Sequence, residues 1–164
     1  MLEGRYYQSL GTRAVVAVKA RVGSVAALGS SDAATVVPFF KRYFLGGATT
    51  LRGWGRFDVS PLDSTNEPIG GQSVFNFSTE IRVPIAGKFS GVLFVDGGNV
   101  WADPWTFRAA DMRYDVGPGV RYDTPIGPLR FDFGYQLNPI PGLVLDGEPE
   151  KRHFRLHFSI GQAF

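Results

Sequence analysis

The feature that most restricts this chain is a period of two that returns in one segment after another. In residues 73–84, Phe75, Phe77, Ile81 and Val83 alternate with Asn76, Ser78, Glu80 and Arg82. In residues 129–137, Leu129, Phe131, Phe133, Tyr135 and Leu137 stand against Arg130, Asp132, Gly134 and Gln136. Residues 153–164 set Phe154, Leu156, Phe158, Ile160 and Phe164 against His153, Arg155, His157, Ser159 and Gly161. Residues 13–23 oppose Ala14, Val16, Val18, Ala20 and Val22 to Arg13, Lys19 and Arg21; residues 115–124 oppose Val116, Val120 and Tyr122 to Gly117, Gly119, Arg121 and Asp123. Successive side chains of a strand point to opposite faces, so each segment predicts a strand with one apolar and one polar side. Residues 2–10 and 91–101 also read as strands, with ambiguous alternation in 2–10, which makes seven in all.

The links alternate as well. Short ones at Gly11-Thr12, Ala86-Gly87-Lys88 and Pro125-Ile126-Gly127 take turns with long ones over about 25–72, 102–114 and 138–151. Tight turns at one end and long loops at the other are the layout of antiparallel transmembrane barrels. The strand lengths suit the about 9–11 residues that a tilted strand needs to cross the hydrocarbon layer.

Composition narrows the classes. A length of 164 residues suits one domain, and the chain lacks the run of roughly 20 apolar residues that a spanning helix requires. With 14% aromatic residues and 21 glycines, disorder is not expected. A net charge of +2 without a block of like charges gives no reason to expect a nucleic-acid partner. The absence of cysteine excludes disulfide frameworks and thiolate metal sites. No signal-like segment opens the chain, so the expectation is either an unexported protein or a segment that starts downstream of its signal.

Alternation alone does not say which face is wet. A soluble sandwich or lipocalin-like barrel would turn its Phe, Leu and Tyr inward, and a membrane barrel would turn them to lipid. Three features favour the membrane barrel. Glycines on the polar face (Gly23, Gly117, Gly119, Gly134, Gly161) suit an interior where another segment comes close to the wall. Tyr6, Tyr7, Trp101, Trp105 and Phe164 gather near strand ends, like interfacial girdles. The loop asymmetry is the third. Within the longest loop, Phe39, Phe40, Tyr43, Phe44, Trp54 and Phe57 are too many aromatics for a solvated segment, so this loop should pack against something. A buried Arg52 would then need a carboxylate, because an unpaired desolvated charge is very costly.

The stretch FLGGATTLRGW (residues 44–54) resembles the loop motif of the outer-membrane assembly and translocation barrels of the BamA and TamA type, the bacterial surface antigen family. STEIRVP (78–84) resembles the strand that follows, and FVDGG (94–98) is similar to the family's F-x-D-x-G strand. GPGVRY (117–122) and IGPLR (126–130) resemble the next two, and FSIGQAF (158–164) the terminal strand that carries the assembly signal. Each motif is short; their order and their coverage of about residues 2–164 make the combination specific.

The resemblance implies an all-β, antiparallel transmembrane barrel, with residues 1–164 as a single domain similar to the C-terminal half of a sixteen-stranded barrel. It implies that the long loop, 25–72, docks in the lumen through Gly46, Gly47, Leu51, Arg52, Gly53 and Trp54. Arg52 would pair with Asp96, with Glu80 nearby, while Phe158, Ile160, Gly161 and Phe164 shape the terminal strand. The residues are consistent with this docking. On the polar faces Arg13, Lys19, Arg21, Arg82, Arg121, Arg130 and Arg155 outnumber Glu80, Asp96, Asp123 and Asp132, so a further arginine should settle where carboxylates are local. The implied location is the bacterial outer membrane. The implied partners are the lipid bilayer or detergent and nascent outer-membrane protein strands. Seven strands do not make an even-numbered bacterial barrel. Either an eighth strand lies in the long loop, or the chain is a C-terminal fragment closed by other strands, a second copy of itself among them.

Nothing points to an enzyme, a cofactor or a metal. His153 and His157 stand about 13 Å apart at roughly 3.3 Å per residue, too far to hold one ion together. Ser159 and His157 share a face but lack an orienting carboxylate. Asp123 and Asp132 sit beside Arg121 and Arg130, as wall ion pairs would. The function expected is therefore insertion, assembly or translocation of outer-membrane proteins. A passive eight-stranded structural or small-pore barrel is the alternative, and a soluble ligand-binding barrel is a third.

Overall fold

The structure, a computed structural model, describes residues 1–11, 13–27 and 37–161. Thr12 of the first tight link, residues 28–36 of the long loop, and Phe164 of the terminal motif lie outside the described residues. The chain forms β1 (Leu2–Leu10), β2 (Ala14–Ser24), β3 (Ser73–Ala86), β4 (Phe89–Trp101), β5 (Arg113–Tyr122) and β6 (Leu129–Gln136). A short hairpin of β7 (Val144–Leu145) and β8 (Glu148–Pro149) follows, and then β9 (Phe154–Ile160). The seven long strands make one antiparallel sheet in the order β1-β2-β3-β4-β5-β6-β9, a meander in which each strand pairs with the next.

The period of two becomes two opposite faces. Tyr6, Val18, Thr79, Val95, Val116, Tyr135 and Phe154 are cross-strand neighbours in one row that runs the whole width of the sheet on one side. Lys19, Ser78, Asp96, Asp115 and Gln136 form a row on the other side. Burial is inverted relative to a water-soluble sheet: Arg130 is 1% exposed and Asp132 1%, while Phe131 between them is 56% exposed. An outward band carrying Leu93, Phe131, Leu156 and Phe158 across successive strands is a lipid-facing surface, because water does not tolerate so extended an apolar patch. On that band Phe131 packs against Phe158 (ring centroids 4.8 Å) and Phe89 against Tyr122 (4.7 Å), cross-strand pairs that reinforce the ladder.

The sheet is open among the described residues: β1 pairs with β2 alone and β9 with β6 alone. The fold is a partial barrel wall. No spanning eighth strand lies in the described part of the long loop, which makes only isolated bridges, Tyr43 with Gly71, Leu45 with Val59 and Leu62 with Pro68. β1 is exposed along its whole length on both faces, and among the described residues it pairs along one edge, with β2. That two-sided exposure matches the ambiguous alternation of residues 2–10.

Four expectations need correction. Trp101 belongs to no exposed girdle; it is buried against Phe107 and donates its indole N–H to Asp111. Asp123 sits exposed in the turn after β5, whereas Asp132 is in the wall. β9 ends at Ile160, so Gly161 falls just past it, with φ +102° and its N–H donated to the Pro128 carbonyl at 2.9 Å. A side chain on Gly117 or Gly119 would strike the wall itself, at the Phe133 carbonyl and the Asp132 carboxylate, so these two glycines do not report a docked segment.

A charge on the lipid face tests the orientation. Leu93→Arg should cost about 2–4 kcal/mol of folding stability in lipid vesicles, whereas Ile126→Arg, in the turn at the sheet's rim, should cost about 0–1. Denaturant midpoints in vesicles measure both.

Candidate functional site

The described part of the long loop lies against the polar face of the sheet, and its tip is a compact knot. Gly46 (φ +108°) and Gly47 (φ +95°) turn the chain through a region open to glycine, and a Cβ on Gly46 would sit 2.1 Å from the Gly55 carbonyl oxygen. The Gly47 N–H points at the carbonyls of Leu51 (3.2 Å) and Trp54 (3.1 Å). The Thr50 hydroxyl bonds both the N–H and the carbonyl of Gly46 (2.9 Å each). Asp58 accepts the Gly55 N–H at 2.7 Å. Leu45, Leu51, Trp54 and Val59 make a small apolar core with Val74 of β3 and Val100 of β4. The knot is thereby fixed to the wall by burial, and one side chain of the opposite character projects from it.

That side chain is Arg52, only 2% exposed. Its Nε and Nη2 donate to the two oxygens of Asp96 at 2.7 Å each, a bidentate pair, and its Nη1 donates to Glu80 at 2.5 Å. Nη2 also donates to Ser78 Oγ (3.0 Å), which in turn donates to Asp96. The guanidinium carbon lies 3.5 Å from the centroid of the Phe94 ring, so a π face supports the cation. Burial works against the charge on Arg52, but the hydrogen bond to Asp96 and the charges of Asp96, Glu80 and Asp132 outweigh it; the guanidinium is held protonated more firmly than a free one.

The pairing extends along the wall. Arg82 donates to Glu80 (2.8 Å), Arg121 to Asp132 (2.7 Å), and Arg130 to Asp132 (2.9 Å). Arg121 also lies 3.4 Å from Glu80, so Glu80 and Asp132 are each shared among cations. Main-chain carbonyls of the tip are held as well: Lys19 donates to Thr49 (2.7 Å), Arg130 to Ala48 (3.1 Å) and Gln136 to Gly53 (2.8 Å). A ring nitrogen of His157 lies 3.0 Å from the Arg52 carbonyl. Two glycines let the backbones meet. A Cβ on Gly134 would lie 2.2 Å from the Arg52 carbonyl oxygen, and one on Gly53 2.7 Å from Asp115 Cβ.

The structure therefore brings together Gly46, Gly47, Leu51, Arg52, Gly53, Trp54, Glu80 and Asp96. It does not bring the terminal-strand residues to them: Phe158 and Ile160 point outward to lipid, and Gly161 lies beyond the strand. Sequence reasoning left out Ser78, Asp115, Gln136 and His157 as neighbours of the loop tip. Their signal was available, because each falls on the polar parity of its strand.

A second tie joins the last strand to the loop. Arg155 at the start of β9 reaches Asp58 of the loop (3.3 Å) and Glu150 beyond the β7–β8 hairpin (2.5 Å). Glu150 is also gripped by Arg152 through its main-chain N–H (2.7 Å) and its guanidinium (3.0 and 2.9 Å). The Arg152 hydrogen bond leads in holding the Glu150 carboxyl down to about 2, with burial opposing it and Arg155 adding to it. Asp58 moves the other way, pushed up by its burial.

Two outcomes follow from these ties. Arg52→Ala would leave Asp96 buried without its guanidinium and Glu80 with only Arg82 and Arg121; it should cost about 3–5 kcal/mol, seen as a lower denaturant midpoint, protease cleavage within 37–72 and altered heat-modifiable gel mobility. Arg52→Lys should rescue only in part, since an ammonium cannot span both Asp96 oxygens. The Glu150 tie should persist above its ordinary value near 4.5 and be lost as pH falls toward 2, because a depressed carboxylate stabilises only while ionised. Amide exchange of residues 144–152 across that window should show loosening that Glu150→Gln abolishes.

A family model described as the Omp85 superfamily domain matches residues 1–164. The outer membrane protein assembly factor BamA of Nitratidesulfovibrio vulgaris is 30% identical over 170 residues, covering 100% of this chain and 20% of that protein. BamA of Neisseria meningitidis is 26% identical over 176 residues, covering 87% of this chain and 21% of that protein. The chloroplastic outer envelope protein 80 of Arabidopsis thaliana is 28% identical over 127 residues, covering 73% and 14%. The crystal structure of BamA from Haemophilus ducreyi lacking POTRA domains 1-3 superposes with a TM-score of 0.68 at 21% identity, over 96% of this chain and 33% of that one. The chain thus spans about a fifth of the length of the first two curated relatives.

Proposed function

This chain belongs to the Omp85 superfamily, and from that premise we propose that it is the C-terminal part of an outer-membrane barrel that assembles or translocates other outer-membrane proteins. The observation that carries the reading is the docked loop: a buried arginine held by two carboxylates of the wall, inside a sheet whose first and last strands each keep an unpaired edge among the described residues.

An unpaired strand edge in hydrocarbon leaves N–H and C=O groups unsatisfied at several kcal/mol each, so each edge must take another strand. The strands that satisfy it come from the rest of a longer barrel, from a second copy, or from a nascent client whose own strands are forming. In the last case the edge works as a template: it offers a hydrogen-bonding ladder to an incoming strand in the medium where that strand gains most from pairing. The docked loop serves this by stiffening the wall next to the seam. Arg52 holds the tip, Asp96 and Glu80 receive it, and the terminal strand with Phe158 and Ile160 presents the edge. The reading calls on no catalytic group and no cofactor; the work is done by strand exchange.

The test is a folding assay. Vesicles carrying the full-length protein should speed the folding of an unfolded client barrel, and Arg52→Ala should reduce that acceleration. Steady ion conductance across a planar bilayer, with client folding unchanged, would instead support a passive barrel.

A further inference from the structure

We propose that the β4–β5 connection forms a lip on the outer wall, and that the groove beneath it holds an acyl chain of a membrane lipid. The inference rests on the outward face meeting lipid and is independent of any assembly activity.

Two of the three long connections behave in opposite ways. Residues 37–72 lie on the polar face, whereas residues 102–112 bend over the rim onto the apolar one. Two serine hydroxyls at the long-loop ends of β2 and β3 pin them there. The Trp105 N–H donates to Ser24 Oγ at 3.0 Å and the Thr106 N–H to Ser73 Oγ at 3.2 Å, while the Ser73 hydroxyl donates to the Asp103 carbonyl. Phe107 then packs edge-on against Phe75 (5.5 Å between centroids, 88°) and against Trp101 (5.3 Å). Trp105 adopts φ +56° and is 86% exposed, a left-handed conformation that a bulky residue rarely takes. The pinned backbone thus holds an indole out from the wall at the end of the strands, where amphipathic aromatics of membrane proteins meet the headgroup layer.

Beneath the lip is a groove of about 210 Å³, bounded by Leu2, Val22, Phe75, Trp105 and Phe107 with Ser24 and Ser73 near its polar end. Its volume falls below the roughly 300–1,000 Å³ usual for small-molecule sites. Val22 and Phe75 are cross-strand partners on the outward face, so the groove continues the lipid-facing band. A peptide would need main-chain partners, and the two serines at the mouth already serve the lip. An acyl chain needs none: its methylene segment fills the apolar part, and its ester end reaches the level of the serines and the indole.

The experiment uses the protein in vesicles of phosphatidylcholine brominated either near the glycerol or deep in the chain. Trp54 and Trp101 are buried, so the difference in emission between wild type and Trp105→Phe isolates Trp105. Shallow bromines should quench that difference signal more than deep ones, and the double variant Ser24→Ala/Ser73→Ala should lose the preference. Native mass spectrometry from lipid discs should show a retained phospholipid that Val22→Phe, which fills the groove, loses and that Val120→Phe, outward on β5, keeps. Heat-modifiable mobility establishes that each variant is folded. Quenching of Trp105 by aqueous iodide but not by bromolipid would overturn the proposal. So would lipid retention equal in wild type and Val22→Phe, or a lip cross-linked to a second copy through Trp105→Cys.

Discussion

A guanidinium with almost no access to water persists only where its charge is answered on every side, and Arg52 is answered by a bidentate Asp96, by Glu80, by the Ser78 hydroxyl and by the face of Phe94. Everything else in the polar half of the molecule follows from keeping that arrangement dry. The apolar knot of Leu45, Leu51, Trp54 and Val59 excludes water from above, and the wall supplies the anions from below. The surrounding arginines do not repel the incomer, because Glu80 and Asp132 are each shared among cations. A cluster of this kind spreads its desolvation cost over many pairings, and its value lies more in fixing one position of the loop than in net stability.

The cross-strand row Lys19, Ser78, Asp96, Asp115 and Gln136 explains how one loop tip can read five strands at once. Residues in such a row stand at the same level of the wall. A tip that settles at that level meets all of them together, and a register slip of one residue on any strand would turn that strand's contribution toward lipid. The glycines at positions 53 and 134 remove the last steric barrier, so main chain approaches main chain. Rigidity of the wall and seating of the loop are the same property seen from two sides.

Much of this was legible. The seven strands, their limits to within a few residues, and the sorting of side chains into two opposite faces all lie in the alternation, since Phe131, Phe133 and Phe158 and their neighbours Arg130, Asp132 and His157 differ by single steps of a two-residue period. Arg52 announced its need for an anion by its aromatic, glycine-rich surroundings. Trp101 was misplaced for a physical reason: it has the parity of a lipid-facing residue, but the connection after it folds back and covers it with Phe107. Asp115 and Gln136 passed unnoticed because a carboxylate or an amide on a polar face looks the same whether it meets water or a docked loop.

The amino-acid order by itself determined the parity of every strand, because backbone geometry sends successive side chains to opposite sides whatever surrounds them. It could not decide which side would be buried, since lipid outside and protein inside produce the same alternation as the reverse. Nor could it show which anions hold Arg52: Glu80 and Asp96 are 28 and 44 residues away along the chain, and only the register of β3 with β4 brings them to one point. That the sheet stays open at both edges among the described residues is likewise a tertiary fact, because pairing is a relation between strands and is written in none of them singly.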